Sequence, residues 1–181
     1  HGQFIYDTTG LVPLIMKHRD LPKGRRMESM ATTLDIMPTI LDFLKISAGP
    51  DTQGKSLLPA IGGKGAEEPV LLETLLPYYE NEDLGDIPVK ITGLRTKEWK
   101  LVHVTLEKEN GTEYIGQLYH VARDPLEMFD VIDENRDTFN QLMSRMLALS
   151  KQYSPQGPPK ATSMEMDAET KEKLKSLGYL K

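Results

Sequence analysis

The chain has no cysteine, no long apolar run and no excess of positive charge, and each absence excludes a class of structure or site. Without cysteine, these residues form no disulfide and supply neither a thiolate ligand nor a cysteine nucleophile. A net charge of -5 gives no electrostatic basis for binding nucleic acid. No apolar run approaches the roughly 20 residues of a membrane span. The first residues also lack the basic start and apolar core of a signal peptide.

The size and composition are those of an ordinary globular domain. With 181 residues, of which 39% are hydrophobic and 27% charged, the chain can bury a sizeable core. It opens with His1-Gly2 rather than with Met. We therefore expect it to be part of a longer protein.

Strand-like runs organise the middle of the chain. Residues 91–94, 99–106 and 114–121 are rich in β-branched, aromatic and apolar side chains and are separated by turn signals. Residues 69–76 form one more strand candidate. Three adjacent antiparallel strands suffice for a small sheet, which needs helices to cover it. The sequence therefore predicts an α+β fold, with a small antiparallel β-sheet packed by helices.

Helical patterns lie on both sides of these strands in the sequence. Residues 32–46 begin with Thr32 and Asp35 in the spacing of a capping box, which satisfies free backbone N–H groups. Residues 135–153 carry an apolar stripe at helical spacing, and residues 167–177 predict a short charged helix. Before these helices, an apolar run indicates a buried strand over residues 11–16.

Two acidic or aromatic positions are candidates for contact with a substrate. Glu73 lies within an apolar strand, where a buried, unpaired carboxylate is costly. It therefore lies at a sheet edge, pairs with a base such as Arg95, or lines a pocket. Tyr78 lies in residues 77–86, an acidic stretch predicted to be a loop of the kind that can contact sugars but is more often plain surface.

Other motifs favour structural interpretations. Residues 49–56 match the phosphate-loop pattern, yet a helix precedes them and Pro59 follows closely, so we interpret them as a plain loop rather than a nucleotide site. Four histidines, His1, His18, His103 and His120, are spread without metal-ligand spacing. No metal site is predicted in these residues, and no active site is complete.

Several segments, taken in their order along the chain, match one family pattern. They are His1-Gly2-Gln3-Phe4-Ile5-Tyr6-Asp7 with Val12-Pro13-Leu14-Ile15, residues 32–44, Gly54-Lys55-Ser56-Leu57-Leu58-Pro59, Glu73-Thr74-Leu75-Leu76-Pro77, Leu94-Arg95-Thr96 with Trp99-Lys100-Leu101-Val102, Gln117-Leu118-Tyr119 with Asp124-Pro125-Leu126-Glu127, and residues 174–180. Together they resemble the C-terminal part of a formylglycine-dependent, arylsulfatase-type sulfatase of the alkaline-phosphatase superfamily.

The resemblance implies a function for a larger parent enzyme. Such an enzyme hydrolyses sulfate esters with a formylglycine and a divalent cation, usually calcium, and both would lie upstream of this chain. In the family, a histidine or lysine at the place of His1 points at the sulfate, so the resemblance implies a catalytic role for His1. Glu73 and Tyr78 are then candidates for substrate binding. The fragment alone is expected to be inactive.

The resemblance also divides the chain and suggests its partners. Residues 1–66 would end the α/β catalytic domain, residues 67–153 would form the antiparallel-sheet subdomain, and residues 154–181 would be a proline-rich linker with a terminal helix. The implied partners are a sulfated small molecule or glycan and the rest of the catalytic domain, in a periplasmic or secreted protein. The alternatives are a phosphodiesterase or phosphonate hydrolase of the same superfamily, and a stand-alone α+β binding module.

Overall fold

A computed structural model of the chain describes residues 4–64, 67–81 and 85–153, together with residues 172, 173 and 176; for residues 75–81 and 85–88 it describes the backbone. His1, nearly all of the predicted terminal helix and the linker at 154–159 lie outside the described residues.

A four-stranded antiparallel sheet forms the centre of the fold. Its strands are β1 (Val70–Asn81), β2 (Gly85–Arg95), β3 (Lys100–Lys108) and β4 (Gly111–Tyr119), and they lie side by side in sequence order. The strands predicted near 69–76, 91–94, 99–106 and 114–121 are confirmed, and the first two are longer than predicted. The α+β fold class is thereby confirmed.

The predicted loop over residues 77–86 is wrong. β1 continues to Asn81 and pairs with the beginning of β2, so that Tyr79 lies opposite Ile87. The register shifts between Leu76 and Tyr79. Pro77 lies at this shift, as expected for a residue that cannot donate a ladder hydrogen bond. These residues form a strand because they pair with β2, and local composition does not reveal that pairing.

One face of the sheet is covered by the helix α4 (Arg136–Tyr153), which confirms the helix predicted over 135–153. Met146 of this helix is buried together with Leu94, Leu101 and Leu118 from the sheet. The strand residue Gly116 lies beneath Phe139, where an added Cβ would come within 2.6 Å of the Phe139 ring. The predicted apolar stripe is therefore the face that packs on the sheet.

The other face is covered at one end by the beginning of the chain. Ile5 packs with Val89, Ile91 and Val102 in a buried cluster that also holds Tyr119 and Val121. The short helical turn α1 (Asp7–Gly10) follows directly. The sheet therefore lies between the N-terminal segment and α4.

The predicted helix over residues 32–46 is confirmed in its start and is shorter at its end. A 3-10 turn (Thr33–Asp35) leads into α2 (Ile36–Phe43), and the Thr32 N–H donates to the Asp35 carboxylate at 2.8 Å. Lys45 then adopts a left-handed φ of 60°. The Ile46 N–H reaches back to the Leu41 carbonyl at 2.8 Å, which closes a Schellman motif and ends the helix.

The phosphate-like sequence is a turn that docks on this helix. The Lys55 N–H donates to the Asp35 carboxylate at 2.8 Å, and the Leu57 N–H donates to the Thr39 hydroxyl at 2.8 Å. The following helical turn is α3 (Leu58–Ile61). Because acceptors within the chain already take these N–H groups, they are not free to hold phosphate. The plain-loop interpretation is thereby supported.

The buried strand predicted over residues 11–16 is wrong for this structure. The segment is extended but pairs with no strand in the described part of the chain, and Leu11 is 67% and Ile15 89% exposed. A strand becomes buried only when a neighbour pairs with it and another layer covers it, and the described residues provide neither.

We predict that Gly54→Ala strongly destabilises the fold. A Cβ at residue 54 would lie 2.0 Å from the carbonyl oxygen of Leu34, and this backbone atom cannot give way cheaply. We expect the free energy of unfolding to fall by about 2–3 kcal/mol. Urea denaturation measures this.

Gly49→Ala is the matched control, because a Cβ there meets nothing within 4 Å. It should change the free energy of unfolding by less than about 0.5 kcal/mol. Equal effects of the two substitutions would contradict the docking of this turn.

Candidate functional site

Four charged side chains meet in the interior at the covered end of the sheet. The Lys100 side chain has no exposed surface, and its Nζ lies 2.9 Å from Asp7 Oδ1 and 2.7 Å from Glu127 Oε1. Arg95 Nη2 lies 3.0 Å from Asp7 Oδ2. We name these four residues, Asp7, Arg95, Lys100 and Glu127, the buried ion network. Two cations and two carboxylates balance each other, as burial requires.

The network also fixes the backbone at Asp7. The Asp7 N–H donates to Glu127 Oε2 at 2.7 Å, while its carboxylate accepts from Arg95 Nε at 3.0 Å and from Lys100 Nζ. Burial of the Asp7 carboxyl opposes its ionisation, but the hydrogen bonds from Arg95 and Lys100 outweigh that effect and lower its pKa below the ordinary value. Asp7 is therefore ionised at neutral pH.

A strained turn presents Glu127 to the network. The Glu127 N–H donates to the Asp124 carbonyl at 3.1 Å, and the Asp124 carboxylate accepts from the Phe129 N–H at 2.9 Å. Glu127 has a left-handed φ of 54°, which is uncommon for a residue other than glycine. The Asp-Pro-x-Glu segment thus shapes a turn whose glutamate points back into the interior.

The network joins three of the motifs that carried the family resemblance. Asp7 comes from the first segment, Arg95 and Lys100 from the strand pair, and Glu127 from the last turn. Sequence reasoning did not predict this convergence. The available signal was the presence of Asp7, Arg95, Lys100 and Glu127 beside apolar or aromatic residues in these motifs, because a buried charge requires a partner.

Of the predicted substrate residues, the structure describes the side chain of Glu73. Its Oε1 lies 2.5 Å from Lys90 Nζ on the adjacent strand β2, and both side chains are about half exposed. β1 is an edge strand, so the edge and ion-pair interpretations both hold, with Lys90 rather than Arg95 as the base. The neighbour Leu72 packs beside the N-terminal segment, so strand alternation places Glu73 on the opposite face, which α4 covers.

The other two predicted site residues cannot be compared with Glu73, and two further histidines contact aromatic rings. His1 and the side chain of Tyr78 lie outside what the structure describes. His103 stacks on Tyr114 with ring centroids 5.5 Å apart, and burial lowers its pKa. The His120 ring packs on Trp99 at 4.4 Å. In the described ranges His103 and His120 therefore contact aromatic rings rather than each other.

Neither a metal-binding cluster nor a membrane-spanning helix occurs in the described residues. There, no group of three or more His, Asp or Glu side chains is arranged to hold a metal ion. No helix within the same ranges is long and apolar enough to cross a membrane.

Comparison with known proteins defines the class of fold. The chain is similar to a solved structure of the protein BT4656 in complex with its substrate D-glucosamine-2-N,6-O-disulfate, with a TM-score of 0.58 and 24% identity. The match covers 78% of this chain and 28% of that chain. The antiparallel sheet and its helices therefore share the α+β fold of the matched part of that structure.

Residues 1–152 match the family described as N-sulphoglucosamine sulphohydrolase, C-terminal, and the chain belongs to this family. It is 26% identical over 160 residues to the N-acetylglucosamine-6-O-sulfatase of Bacteroides thetaiotaomicron, covering 86% of this chain. It is 27% identical over 136 residues to human arylsulfatase K, covering 72% of this chain. The chain spans about a quarter of the length of these relatives, 28% and 25% respectively.

We predict that protonation of Asp7 weakens the fold in acid. Because its pKa is lower in the folded than in the unfolded chain, its contribution to stability is complete above 3.8, the ordinary value, and is lost as the pH falls further. Asp7→Asn should remove this part of the pH dependence. At pH 7 it should also lower the free energy of unfolding by about 3 kcal/mol, since the cations lose a partner.

Urea denaturation between pH 7 and pH 2 measures both effects, with Asp51→Asn in an exposed loop as the control. If Asp7→Asn and the unsubstituted chain lose stability in parallel below 3.8, the lowered pKa of Asp7 is contradicted.

Proposed function

We propose that this chain is the C-terminal region of a sulfatase that hydrolyses sulfate esters, and that it completes a catalytic domain supplied mainly by residues outside it. The observation that carries this proposal is the match to a sulfatase C-terminal family over residues 1–152. The chain matches about a quarter of the length of each relative, which supports the proposal that most of the catalytic domain lies outside this chain.

An exposed apolar surface in the first third of the chain supports an intramolecular partner. Ile15 is almost fully exposed, and large apolar side chains on α2 are exposed as well. The exposed apolar residues of this surface are Leu11, Val12, Leu14, Ile15, Met16, Ile36, Met37 and Ile40. Exposed apolar side chains in this number are costly in water and are typical of an interface. The rest of an α/β catalytic domain is the partner that the family relationship favours.

The proposed metal and nucleophile belong to that other part of the protein. The described residues include one buried pair of carboxylates, Asp7 and Glu127, and Lys100 and Arg95 neutralise it. These oxygens are therefore unsuited to calcium, which requires several free oxygen ligands. We infer that calcium and the formylglycine, which would supply the attacking hydroxyl, are held by residues outside this chain.

The proposed contribution of this chain to the chemistry is His1. A histidine near the sulfate can donate a hydrogen bond to an oxygen that gains negative charge, or a proton to the leaving alcohol. The substrate-binding roles of Glu73 and Tyr78 stay predictions. A sulfated small molecule or glycan as substrate, and a periplasmic or secreted location, are proposed from the family alone.

The direct test is hydrolysis of a chromogenic aryl sulfate and of glucosamine 6-sulfate by the longer protein that contains this chain. We expect sulfate release by that protein and none by the 181-residue chain alone. His1→Ala in the longer protein should lower kcat by about 10²- to 10⁴-fold, because a proton or hydrogen-bond donor is lost. Hydrolysis of a phosphodiester to an alcohol and a phosphomonoester, with no release of sulfate from the sulfate esters, would instead favour the phosphodiesterase alternative.

A second test addresses the apolar surface. In the longer protein, Ile15→Glu should lower the melting temperature and the yield of soluble enzyme, since a charge would enter an interface. Leu147→Glu on α4, where the leucine is also exposed, is the matched control and should have little effect. If Ile15→Glu and Leu147→Glu have equally small effects, the surface around Ile15 is not covered by another part of the protein. This outcome would favour a stand-alone binding module.

A further inference from the structure

We propose that residues 17–26, which we name the basic loop, bind sulfate groups of a multiply sulfated glycan chain, apart from the sulfate ester that is hydrolysed. This inference rests on the proposed function, in which the substrate carries sulfate esters. It adds to that function a binding surface for a polymer, and this surface lies on described residues of the chain.

The first step of the argument is the uneven distribution of charge. The basic loop has one carboxylate, that of Asp20, and five cationic side chains. The cations are Lys17, Arg19, Lys23, Arg25 and Arg26. With His18 neutral, the net charge of the loop is +4, whereas that of the whole chain is -5. A polyanion is therefore attracted to this loop and repelled by the rest of the chain.

The second step is that the cations of the loop are available to a ligand. All five side chains are exposed. Asp20 Oδ2 lies 3.7 Å from Arg19 Nε, and no carboxylate among the described residues forms an ion pair with the other four cations. The lysines of the sheet are paired by contrast, for example Lys90 with Glu73. An anion can therefore bind at the loop without first breaking an ion pair within the described part of the chain.

The third step is the defined shape of the loop. The His18 ring packs edge-on against the Phe43 ring of α2, with centroids 4.5 Å apart. The Leu21 N–H donates to the His18 carbonyl at 3.2 Å and closes a turn. Gly24, in a second turn, has a left-handed φ of 64°. The backbone that carries the cations is thus folded and anchored on α2, so binding an anion costs less conformational entropy than on an unstructured segment.

The fourth step is the kind of anion that fits. A sulfate ester carries a single negative charge, so a monosulfated sugar would neutralise one of the four unpaired cations. A ligand with several sulfate groups along a chain matches cations that are spread along a loop. Nucleic acid is the other common polyanion, but proteins that bind single strands also stack bases on aromatic rings. The one ring of the loop, that of His18, packs on Phe43 instead.

The position of the loop decides which cations can be tested separately. Arg25 and Arg26 line the same groove as Leu11 and Ile15, and so lie beside the apolar surface proposed to contact the rest of the catalytic domain. The other three cations, Lys17, Arg19 and Lys23, do not line that groove. Replacing these three therefore tests binding without altering the proposed interface.

The experiment measures binding of a fluorescent heparin hexasaccharide, which carries several sulfate groups, to the longer protein that contains this chain. The loop variant is Lys17→Gln/Arg19→Gln/Lys23→Gln. In about 50 mM NaCl it should raise Kd by about tenfold, because three contacts between a cation and the glycan are lost. Raising NaCl to about 200 mM should weaken binding to the unsubstituted protein on the order of tenfold, and binding to the loop variant by less.

A matched control removes the same amount of charge elsewhere. Arg123, Arg145 and Lys151 are exposed and lie outside the groove. Arg123→Gln/Arg145→Gln/Lys151→Gln should change Kd by less than about twofold, since these cations are not on the basic loop. In both variants kcat and KM for glucosamine 6-sulfate, which carries a single sulfate group, should stay unchanged.

Three results would overturn this inference. The first is an equal change of Kd in the loop variant and the control. The second is a single-stranded oligonucleotide of equal charge that binds the loop as tightly as the hexasaccharide. The third is a lower melting temperature of the loop variant with an unchanged Kd, which would assign the cations to carboxylates elsewhere in the longer protein. All three leave the proposed function in place, because sulfate release from glucosamine 6-sulfate tests it separately. If the longer protein hydrolyses no sulfate ester, the proposed function is overturned, and this inference with it.

Discussion

The burial of the Lys100 ammonium group is the constraint on which the described structure depends. A lysine with no exposed side-chain surface needs negative partners, and loss of one partner from such a pair costs about 3–5 kcal/mol. The partners are Asp7 and Glu127, which lie 93 and 27 positions away in the sequence. One charge in the sheet therefore dictates where the beginning of the chain and the turn after β4 must lie. The left-handed conformation of Glu127 is held by the same requirement.

The two faces of the sheet are closed in different ways, and this difference relates the fold to its proposed role. α4 covers one face with an apolar stripe from the same chain, whereas the opposite face is covered at one end by a few N-terminal residues. The apolar surface of residues 11–16 and α2 has no cover among the described residues. The structure thus combines a sheet with its own core and a preceding segment whose apolar side chains face solvent. A region that completes a larger catalytic domain has these properties.

The loop that resembles a phosphate site shows how the same residues support different chemistry in different surroundings. In a phosphate loop the backbone N–H groups point at a ligand. In this chain the N–H groups of Lys55 and Leu57 donate to Asp35 and Thr39 of the neighbouring helical segment. Gly54 is required because a side chain there would strike the Leu34 carbonyl, not because a phosphate approaches. The residues that match the phosphate-loop pattern therefore serve to dock the turn on α2.

The sequence by itself determined the elements whose signals are local. The Thr32 and Asp35 spacing predicted a helix start, and the stripe containing Phe139 and Met146 predicted the face of α4 that packs on the sheet. Strand-like runs separated by turn signals predicted the later strands. All of these signals depend on neighbours within a few positions. Only the tertiary structure decided the extension of β1 beyond Pro77, the exposure of residues 11–16 and the meeting of Asp7 with Lys100 and Glu127. Each of these depends on a partner far along the chain or outside the described residues. Pairing and burial are properties of the assembled structure, and for that reason no local pattern could predict them.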